Sequence, residues 1–461
     1  MKSDVISLEQ TKEVWHMTWP LFLNGLLLAY AGNLDVYIAG QLGFEHEASQ
    51  AAIGIGSQIW FLFAIAGSAL AASCVVLVSK AHGACKSDLV NYLGKTGFLL
   101  AFLFGLLNVL VALIAAPALV SMQTTSQLVI EKVNTYMSQS LCSLLPFYVA
   151  TACGAVYLAL GRTLIALINT TVFVVALTIL EPTLCLGLFG ISALGMAGIG
   201  YAWLFSQSLS CVVALIIARS FIVEKEEQWN QLKALIPAIN QSSVELVRLA
   251  YPLILQDLSW FFSVAIIFRL IDWTIATKLS TPYHLLERTQ AALSVGLKVD
   301  ELLMAVFLYA LISAARALIS QRLGQGDLAG AGLLLGRFAK IGMAYGLCNA
   351  LLYLVCADLI GQFLTGDIRE CADFLRIVAF GQPFMAVFYV LCGGLQAYGR
   401  TLDSMLITIF AFVVIRLPLA WLFGQLWGVT GIWLSFPLSC MAGCLLAYYR
   451  TKWLLKQSQC D

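Results

Sequence analysis

The chain has 461 residues, of which 61% are hydrophobic and only 11% are charged. A soluble globular domain has about 25% charged residues, so this composition argues against a water-soluble enzyme. The 26 basic residues nearly balance the 25 acidic ones, which leaves neither a basic surface for nucleic acid nor an acidic tail. We therefore expect the protein to contact membrane lipid and not to bind nucleic acid.

Long apolar segments follow one another along the chain. The segment 97–120 has no charged residue in 24 positions, and a helix of about 20 apolar residues crosses the hydrocarbon core of a bilayer. The polar start, Met1–Lys12, is unlike a signal peptide, so the first apolar helix is expected to remain in the protein. Twelve spans are predicted, with approximate limits at 14–40, 51–79, 97–120, 134–160, 164–188, 194–218, 249–272, 291–319, 341–364, 377–398, 402–424 and 428–449.

Lysine and arginine in the connections predict the orientation of these spans. With a cytoplasmic N-terminus, inner connections carry 17 of these cations and outer connections carry four, which fits the excess of positive charge on the cytoplasmic side. Both termini are therefore predicted to lie in the cytoplasm, with the protein in the cell membrane. The predicted divisions are a cytoplasmic N-terminus (1–13), an N-terminal six-helix bundle (14–220), a cytoplasmic linker (221–247), a C-terminal six-helix bundle (248–450) and a cytoplasmic tail (451–461).

An internal repeat relates the two halves, since four landmarks recur in the same order at offsets between 233 and 241. An even number of spans per repeat gives the halves parallel topology, related by an axis along the membrane normal. We predict an all-α polytopic membrane protein whose twelve helices form two six-helix bundles related by a pseudo-twofold axis, an architecture that suits a transporter. The landmark pairs are Ser79–Gly83 with Ser320–Gly324, Pro146 with Pro383, Gly161–Thr163 with Gly399–Thr401, and Leu194–Ile199 with Trp427–Ile432.

Two acidic residues lie within predicted spans of the N-terminal bundle. Asp35 is near the outer end of the first span, and Glu181 is inside the fifth, where Pro182 follows it. A charged carboxylate at a helix centre costs about 2.5–3.5 kcal/mol, so such a residue faces a cavity, finds a partner or takes up a proton. Pro182 frees the carbonyl of Thr178. With no Lys or Arg in the spans of this bundle, the pattern favours a proton relay or a small-cation site, the alternatives being an interfacial Asp35 and a structural Glu181.

The chain resembles the multidrug and toxic compound extrusion (MATE) family over about residues 14 to 450. Pro20, the segment Asn33–Gly40, the exit Ser79–Gly83 and its partner Leu323–Asp327 carry the resemblance. It implies cation-coupled efflux of organic compounds, with the coupling ion, H⁺ or Na⁺, bound at the acids of the first and fifth spans. The candidate surroundings of these acids, Asp35 and Glu181, are Asn33, Tyr37, Thr178, Pro182 and Trp203.

The sequence departs from the family pattern at three places. Family members that bind the ion in the N-terminal bundle have an asparagine four residues before the fifth-span acid, where this chain has Leu177. A threonine of the sixth span is replaced by Trp203. A glutamate that another branch carries after the seventh-span proline is absent, with Ser259 and Trp260 in its place. The thinner polar network around Glu181 favours protons over sodium.

The C-terminal bundle contains charges of both signs, of which Asp257, Asp300, Glu301 and Arg416 are the candidate polar residues. Arg416 occupies the place of Glu181 in the repeat. Ion pairing within the bundle is one interpretation, and binding of an anionic or zwitterionic substrate is the other. Asp300 and Glu301 could extend a polar pocket, but adjacent helix positions do not face the same way.

The leading hypothesis is an ion-coupled antiporter that exports amphiphilic, often cationic, organic compounds by alternating access. The alternative within transport is a flippase for a lipid-linked oligosaccharide, as found in the same superfamily. A lipid-linked oligosaccharide carries a pyrophosphate group, and its flippase needs several basic residues facing the transport pathway. The N-terminal spans lack such residues. A membrane enzyme or sensor is a third hypothesis, although no GxSxG or HExxH motif occurs. We expect no enzymatic activity, no cofactor, no metal besides the coupling ion, and a functional monomer.

Overall fold

A computed structural model describes residues 2–42, 46–123, 126–222, 236–278, 283–365 and 369–457, and all regular structure in these ranges is helical. The first half begins with α1, which already starts at Lys2, inside the predicted N-terminal segment. Short 3₁₀ turns at Leu141–Ser143 and Leu188–Gly190 follow α4 and α6. The helices of this half are α1 (Lys2–Ala39), α2 (His46–Gly83), α3 (Ser87–Gln123), α4 (Gln127–Ser140), α5 (Leu144–Ala159), α6 (Thr163–Leu186) and α7 (Met196–Ile222).

The second half contains two π-helical segments, Glu301–Ala305 and Phe410–Ile415. Residues 223–235 of the predicted linker 221–247, and residues 458–461 of the predicted tail, lie outside the described residues. The helices of this half are α8 (Ile236–Lys278), α9 (Tyr283–Asp300), α10 (Val306–Gly324), α11 (Leu328–Thr365), α12 (Arg369–Ala379), α13 (Gln382–Ala397), α14 (Thr401–Ile409), α15 (Arg416–Trp427) and α16 (Val429–Gln457).

The number of membrane spans agrees with the sequence prediction. Within the described ranges, 11 helices are long and apolar enough to cross a membrane, and the count becomes 12 when one bent pair is taken as a single span. That pair joins Glu370–Ala379 to Gln382–Ala397 at an angle of 57°. The prediction of an all-helical, polytopic membrane protein is thereby confirmed.

The bend interrupts the tenth predicted span, 377–398, close to its start. Pro383 stands in the first turn of α13, and a proline ring clashes with a helix that continues through the preceding turn. Gly381, at the bend, packs so closely on α16 that an added Cβ would lie 2.8 Å from the Cα of Pro437. The proline ends one helix, and the glycine lets the next one begin against its neighbour.

The internal repeat is visible in the geometry of three turns. Gly161 and Gly399 end their helices at φ of 77° and 76°, and the residues that follow, Arg162 and Arg400, also have similar backbone angles. Left-handed residues of this kind commonly end helices, and glycine adopts them without a steric penalty. Two further pairs of equivalent turns also contain residues with positive φ. Cys85 corresponds to Gly326 in the turns after the second and eighth predicted spans, and Gly195 corresponds to Gly428 in the turns at the start of the sixth and twelfth. The repeat therefore extends to the backbone of its turns.

The chain forms two compact units. The first, here the N-terminal unit, is Leu23–Tyr251, and the second, the C-terminal unit, is Met1–Phe22 together with Pro252–Asp461. In the N-terminal unit, α2 packs on α3, α4 and α5, and α6 packs along α7. In the C-terminal unit, α13 packs on α10, α11 and α16. Gly198 shows how close α6 and α7 are, because an added Cβ there would lie 2.6 Å from the carbonyl of Leu184.

Candidate functional site

Asp35 is buried in the N-terminal unit, with only 1% of its surface exposed. The indole Nε1–H of Trp203, on α7, donates to both of its carboxylate oxygens, at 2.8 Å to Oδ1 and 2.9 Å to Oδ2. Hydrogen bonds to an ionised acceptor are about twice as strong as neutral ones. The structure therefore joins two of the predicted site residues through a fixed N–H donor.

Glu181 lies on α6 and is fully buried. Its carboxyl group and that of Asp35 are close enough to interact directly, and the Tyr136 ring also lies in their electric field. Among the described residues, no N–H or hydroxyl group donates to either carboxyl oxygen of Glu181, and the group within hydrogen-bonding reach is the Asp35 carboxyl itself. Burying an unpaired carboxylate is very unfavourable unless a proton or a cation neutralises it. The pair thus forms an acidic site whose charge is unsatisfied by the protein.

Apolar packing brings these two acids together. A buried cluster from α1, α6 and α7 surrounds them and includes Ala31, Leu177 and Ala202, with Trp203 packed against it. Leu177, the residue in place of the family's asparagine, is fully buried in this cluster. Leu177 therefore packs in the apolar cluster, at the position where an asparagine would offer a polar ligand.

An aromatic wall holds the indole of Trp203 in place. Its ring makes edge contacts with Trp60 at 5.3 Å and with Phe173 at 5.4 Å between ring centroids. Trp60 in turn contacts Phe147 at 5.1 Å and donates from Nε1 to Ser143 Oγ at 3.1 Å. Such contacts restrict the indole to one orientation, which keeps its N–H directed at Asp35.

Other predicted surroundings lie away from the acids or are engaged within their own helices. The Asn33 side chain is exposed and donates to Ala29 O at 2.7 Å, and Tyr37 is 64% exposed. The hydroxyl of Thr178 donates to Val174 O at 2.7 Å. Pro182 lies inside α6, next to Glu181, as predicted. The structure therefore does not bring Asn33 and Tyr37 to the acid pair.

Tyr136 is a neighbour of the acids that the sequence patterns did not indicate. It lies on α4 and is 1% exposed. Glycines allow this close packing, since a Cβ at Gly56 would lie 2.6 Å from its ring and one at Gly200 would lie 2.5 Å from its carbonyl oxygen. No local sequence signal marks the tyrosine, because its role comes from contacts between distant helices.

In the C-terminal unit, Asp300 and Glu301 point to different surroundings, as adjacent helix positions require. Asp300 accepts hydrogen bonds from Gln382 Nε2 at 2.7 Å and from the hydroxyl of Tyr353 at 3.1 Å. Glu301 is exposed and pairs with Lys298 at 3.1 Å. Only Asp300 belongs to a polar network inside the unit. Asp257 lies on α8 with its side chain exposed.

Arg416 is 2% exposed and begins α15, directly after the π-helical segment Phe410–Ile415. Its guanidinium carbon lies 4.2 Å from the ring centroid of Phe412 and 4.5 Å from that of Phe436. Nε donates to Ser439 Oγ at 2.9 Å, whereas one terminal nitrogen has no hydrogen-bond partner among the described residues. A second terminal nitrogen donates to Cys440 Sγ at 3.9 Å. The neighbours of this predicted ion-pairing residue are therefore rings, a hydroxyl and a thiol, and Asp300 forms no salt bridge with it among the described residues.

No group of three or more His, Cys, Asp or Glu side chains in the described ranges could hold a metal ion. The acid pair could still receive a small cation, since it presents carboxyl oxygens. Hard cations require several oxygen ligands, and the indole of Trp203 already bonds both oxygens of Asp35. The indole N–H thereby occupies part of the coordinating capacity of Asp35.

The fold and these buried charges define an integral membrane transporter. A profile of the MatE family matches residues 20–183 and 283–422, more than half of the chain. The chain therefore belongs to the MatE family.

Full-length relatives agree with this assignment. An uncharacterized transporter, YisQ, of Bacillus subtilis is 25% identical over 464 residues, covering 97% of this chain and 96% of that protein. A probable multidrug resistance protein, NorM, of Mannheimia succiniciproducens is 21% identical, covering 97% and 95%. The crystal structure of the D35N mutant of the Vibrio cholerae MATE transporter VcmN matches with a TM-score of 0.85 at 20% identity, covering 97% of this chain and 98% of that one, which shows the fold. The predictions of the family and of a non-enzymatic transporter are confirmed.

Trp203→Phe tests the hydrogen bond between Trp203 and Asp35. The substitution keeps an aromatic ring but removes the N–H, and a bond to a charged group contributes about 1.5–3 kcal/mol. We expect export of a fluorescent organic cation from proteoliposomes to fall about 10-fold, the factor that corresponds to 1.4 kcal/mol. Trp60→Phe is the matched control, because Trp60 donates to Ser143 rather than to an acid. Equal losses in the two variants would show that ring packing, rather than the N–H donor, is what matters.

Proposed function

We propose that this transporter is a proton-coupled antiporter that exports amphiphilic organic compounds, and that Asp35 and Glu181 carry the coupling proton. The observation that supports this most directly is the burial of both carboxyl oxygens of Glu181 beside the carboxyl of Asp35, with no N–H or hydroxyl donor to them among the described residues. Two adjacent buried carboxylates do not both stay charged. The pair therefore requires an added positive charge.

A proton accounts for that charge with the residues present. Trp203 donates to both oxygens of Asp35, so Asp35 is stabilised as the charged partner and Glu181 as the partner that holds the proton. Loss of the proton would leave a second charge in an apolar cluster. To accommodate this second charge, α1, α6 and α7 would have to repack or to admit water. A ligand that binds one packing of these helices more tightly than the other shifts the equilibrium between the two packings.

The substrate class is proposed from the relatives and from the predicted orientation. Relatives at 20–23% identity are named multidrug resistance proteins or probable ones, which supports export of varied organic compounds. With both termini in the cytoplasm, as the distribution of basic residues predicts, protons entering the cell would exchange for substrate leaving it. A monomer in the cell membrane would suffice for this cycle.

The choice of ion is tested by imposing one gradient at a time on proteoliposomes that contain the purified protein and a fluorescent organic cation. We expect a pH gradient at equal sodium to drive export, and its collapse by a proton ionophore to lower the rate at least about 10-fold, an effect of about 1.4 kcal/mol. A sodium gradient at equal pH is expected to drive none. Transport driven by sodium alone would overturn the proton assignment, and transport independent of both gradients would overturn coupling by either ion.

A further inference from the structure

Two opposite charges in the C-terminal unit lie near each other without forming a salt bridge. Asp257 on α8 directly follows Gln256, and Gln256 is linked through Gln396 to Arg316 on α10 by hydrogen bonds of 3.3 and 2.7 Å; the two charges also interact electrostatically. Among the described residues, the carboxylate of Asp257 accepts no hydrogen bond, and neither terminal nitrogen of Arg316 donates one; Nε is the only guanidinium nitrogen in use. Opposite charges inside a membrane protein normally pair with each other. Among the described residues, the carboxylate of Asp257 and the terminal nitrogens of Arg316 therefore keep unused hydrogen-bonding capacity.

A chain of buried polar side chains holds the guanidinium in place. Arg316 Nε donates to Gln396 Oε1 at 2.7 Å, and Gln396 Nε2 donates to Ser404 Oγ at 3.0 Å and to Gln256 Oε1 at 3.3 Å. Ser404 Oγ completes the chain by donating to Gln256 Oε1 at 2.7 Å. Gln396, Ser404 and Gln256 are 1%, 0% and 7% exposed. The network orients Arg316 through one nitrogen and leaves the planar fork of its terminal nitrogens available.

Asp257 is exposed and Arg316 is half-buried, and Asp257 lies on a different face of α8 from the exposed apolar residues of that helix. On α8, exposed apolar side chains at Tyr251, Leu255 and Phe262 form one stripe, and Asp257 lies roughly a third of a turn or more away from it at about 100° per residue. A charged side chain within a span faces water rather than hydrocarbon. Asp257 is therefore expected to face water.

The same surface continues onto α10. Most side chains of this helix are buried, but Tyr309 is 60% exposed and Arg316, two turns later, is half-buried. The Tyr309 ring lies in the field of both Asp257 and Arg316. An acid, a guanidinium and a phenol ring thus form one accessible group inside the membrane-spanning region.

We propose that Asp257 and Arg316 bind zwitterionic amphiphiles during transport, an inference that rests on the proposed export function. The cationic group of the substrate contacts Asp257, its carboxylate is held by the terminal nitrogens of Arg316, and its apolar body lies on Tyr309. Guanidinium groups bind carboxylates in a two-pronged geometry that lysine does not reproduce. A substrate with a single positive charge would satisfy Asp257 but would face Arg316 unpaired, so the site favours ligands that carry both charges.

The test uses tetramethylrhodamine, a zwitterion with a free carboxylate, and its methyl ester, which shares the ring system but is only a cation. Binding to the detergent-purified protein is measured by fluorescence anisotropy without any gradient. We expect Arg316→Gln to weaken binding of the free acid about 10-fold or more, as loss of about 1.4 kcal/mol requires, and to change binding of the ester less than about twofold. Asp257→Asn is expected to weaken both dyes, since both carry the cation.

Three further measurements keep this test decisive. Arg316→Lys, which retains the charge without the fork, is expected to fall between wild type and Arg316→Gln for the free acid, and melting temperatures report whether each variant folds. Arg376→Gln, at an exposed ion pair with Asp358, is the control and should alter neither dye. If Arg316→Gln weakens both dyes equally or neither of them, Arg316 does not bind the carboxylate. Proton dependence of ester export should survive Arg316→Gln, so failure of this inference is distinguishable from failure of proton coupling.

Discussion

Glu181→Gln is expected to lower proton-driven export at least about 100-fold, an effect of about 2.7 kcal/mol. Glutamine has the size of a protonated glutamic acid but does not exchange a proton with water. No N–H or hydroxyl group of the described residues donates to the buried oxygens of Glu181, so the amide removes no such bond, and it is able to donate to Asp35 as the protonated acid would. The melting temperature of the purified variant should therefore be unchanged or higher.

The measurement compares two modes of transport in proteoliposomes. Gradient-driven export should be lost in Glu181→Gln, whereas exchange of labelled for unlabelled substrate at equal pH should persist, because it requires no net proton movement. Glu131→Gln, at an exposed position on α4, is the matched control and should behave as wild type. Gradient-driven export at the wild-type rate in Glu181→Gln would exclude Glu181 as the proton carrier.

Arg416→Lys is expected to destabilise the protein by about 2–4 kcal/mol, despite conserving the charge. The guanidinium stacks between Phe412 and Phe436 and uses Nε to reach Ser439. A lysine ammonium is compact and strongly hydrated, and it has no planar face to place between two rings. The variant therefore buries a charge that has lost its partners, and its melting temperature in detergent should fall by several degrees.

Arg416→Met provides the contrast. Replacing a buried charge with an apolar side chain of similar size is often neutral or stabilising, so we expect a smaller decrease in melting temperature than for lysine. Arg376→Lys, at a partly exposed ion pair on α12, is the control for replacing arginine by lysine. It should leave the melting temperature near that of wild type. A lysine variant as stable as wild type would show that the stacked geometry contributes little.

The predicted ion-coupling residues and their surroundings differ in how well the sequence located them. Asp35 and Glu181 stand out because a carboxyl group within an apolar segment is costly wherever the rest of the chain lies. The sequence predicts Trp203 to lie near the acids but offers it no polar role beyond replacing a threonine, whereas the structure shows its indole donating to Asp35 across 168 positions. Asn33 and Tyr37 are near Asp35 in the sequence but lie on other faces of α1, because successive residues of a helix are about 100° apart.

The C-terminal unit shows the same limit of local patterns. The sequence suggested ion pairing among its charges, and Arg376 with Asp358 does pair, at 2.5 Å. Arg416 instead lies between aromatic rings, and Arg316 is held by amides from α8 and α13. Which neighbour a buried cation receives depends on helix packing, and apolar helices of similar composition pack in many ways.

The sequence by itself determined that this chain is a polytopic transporter built from a repeated six-span unit. It also showed that two acids lie in apolar segments, where burying their charge is unfavourable. Span length, desolvation energy and turn-forming glycines such as Gly161 and Gly399 are local properties, and each is readable from a short segment. Only the tertiary structure decided that Asp35 receives an indole N–H and that Glu181 receives no donor among the described residues. These partners come from helices far apart in the chain, and their positions follow from close packing of α1, α6 and α7, which no single segment specifies.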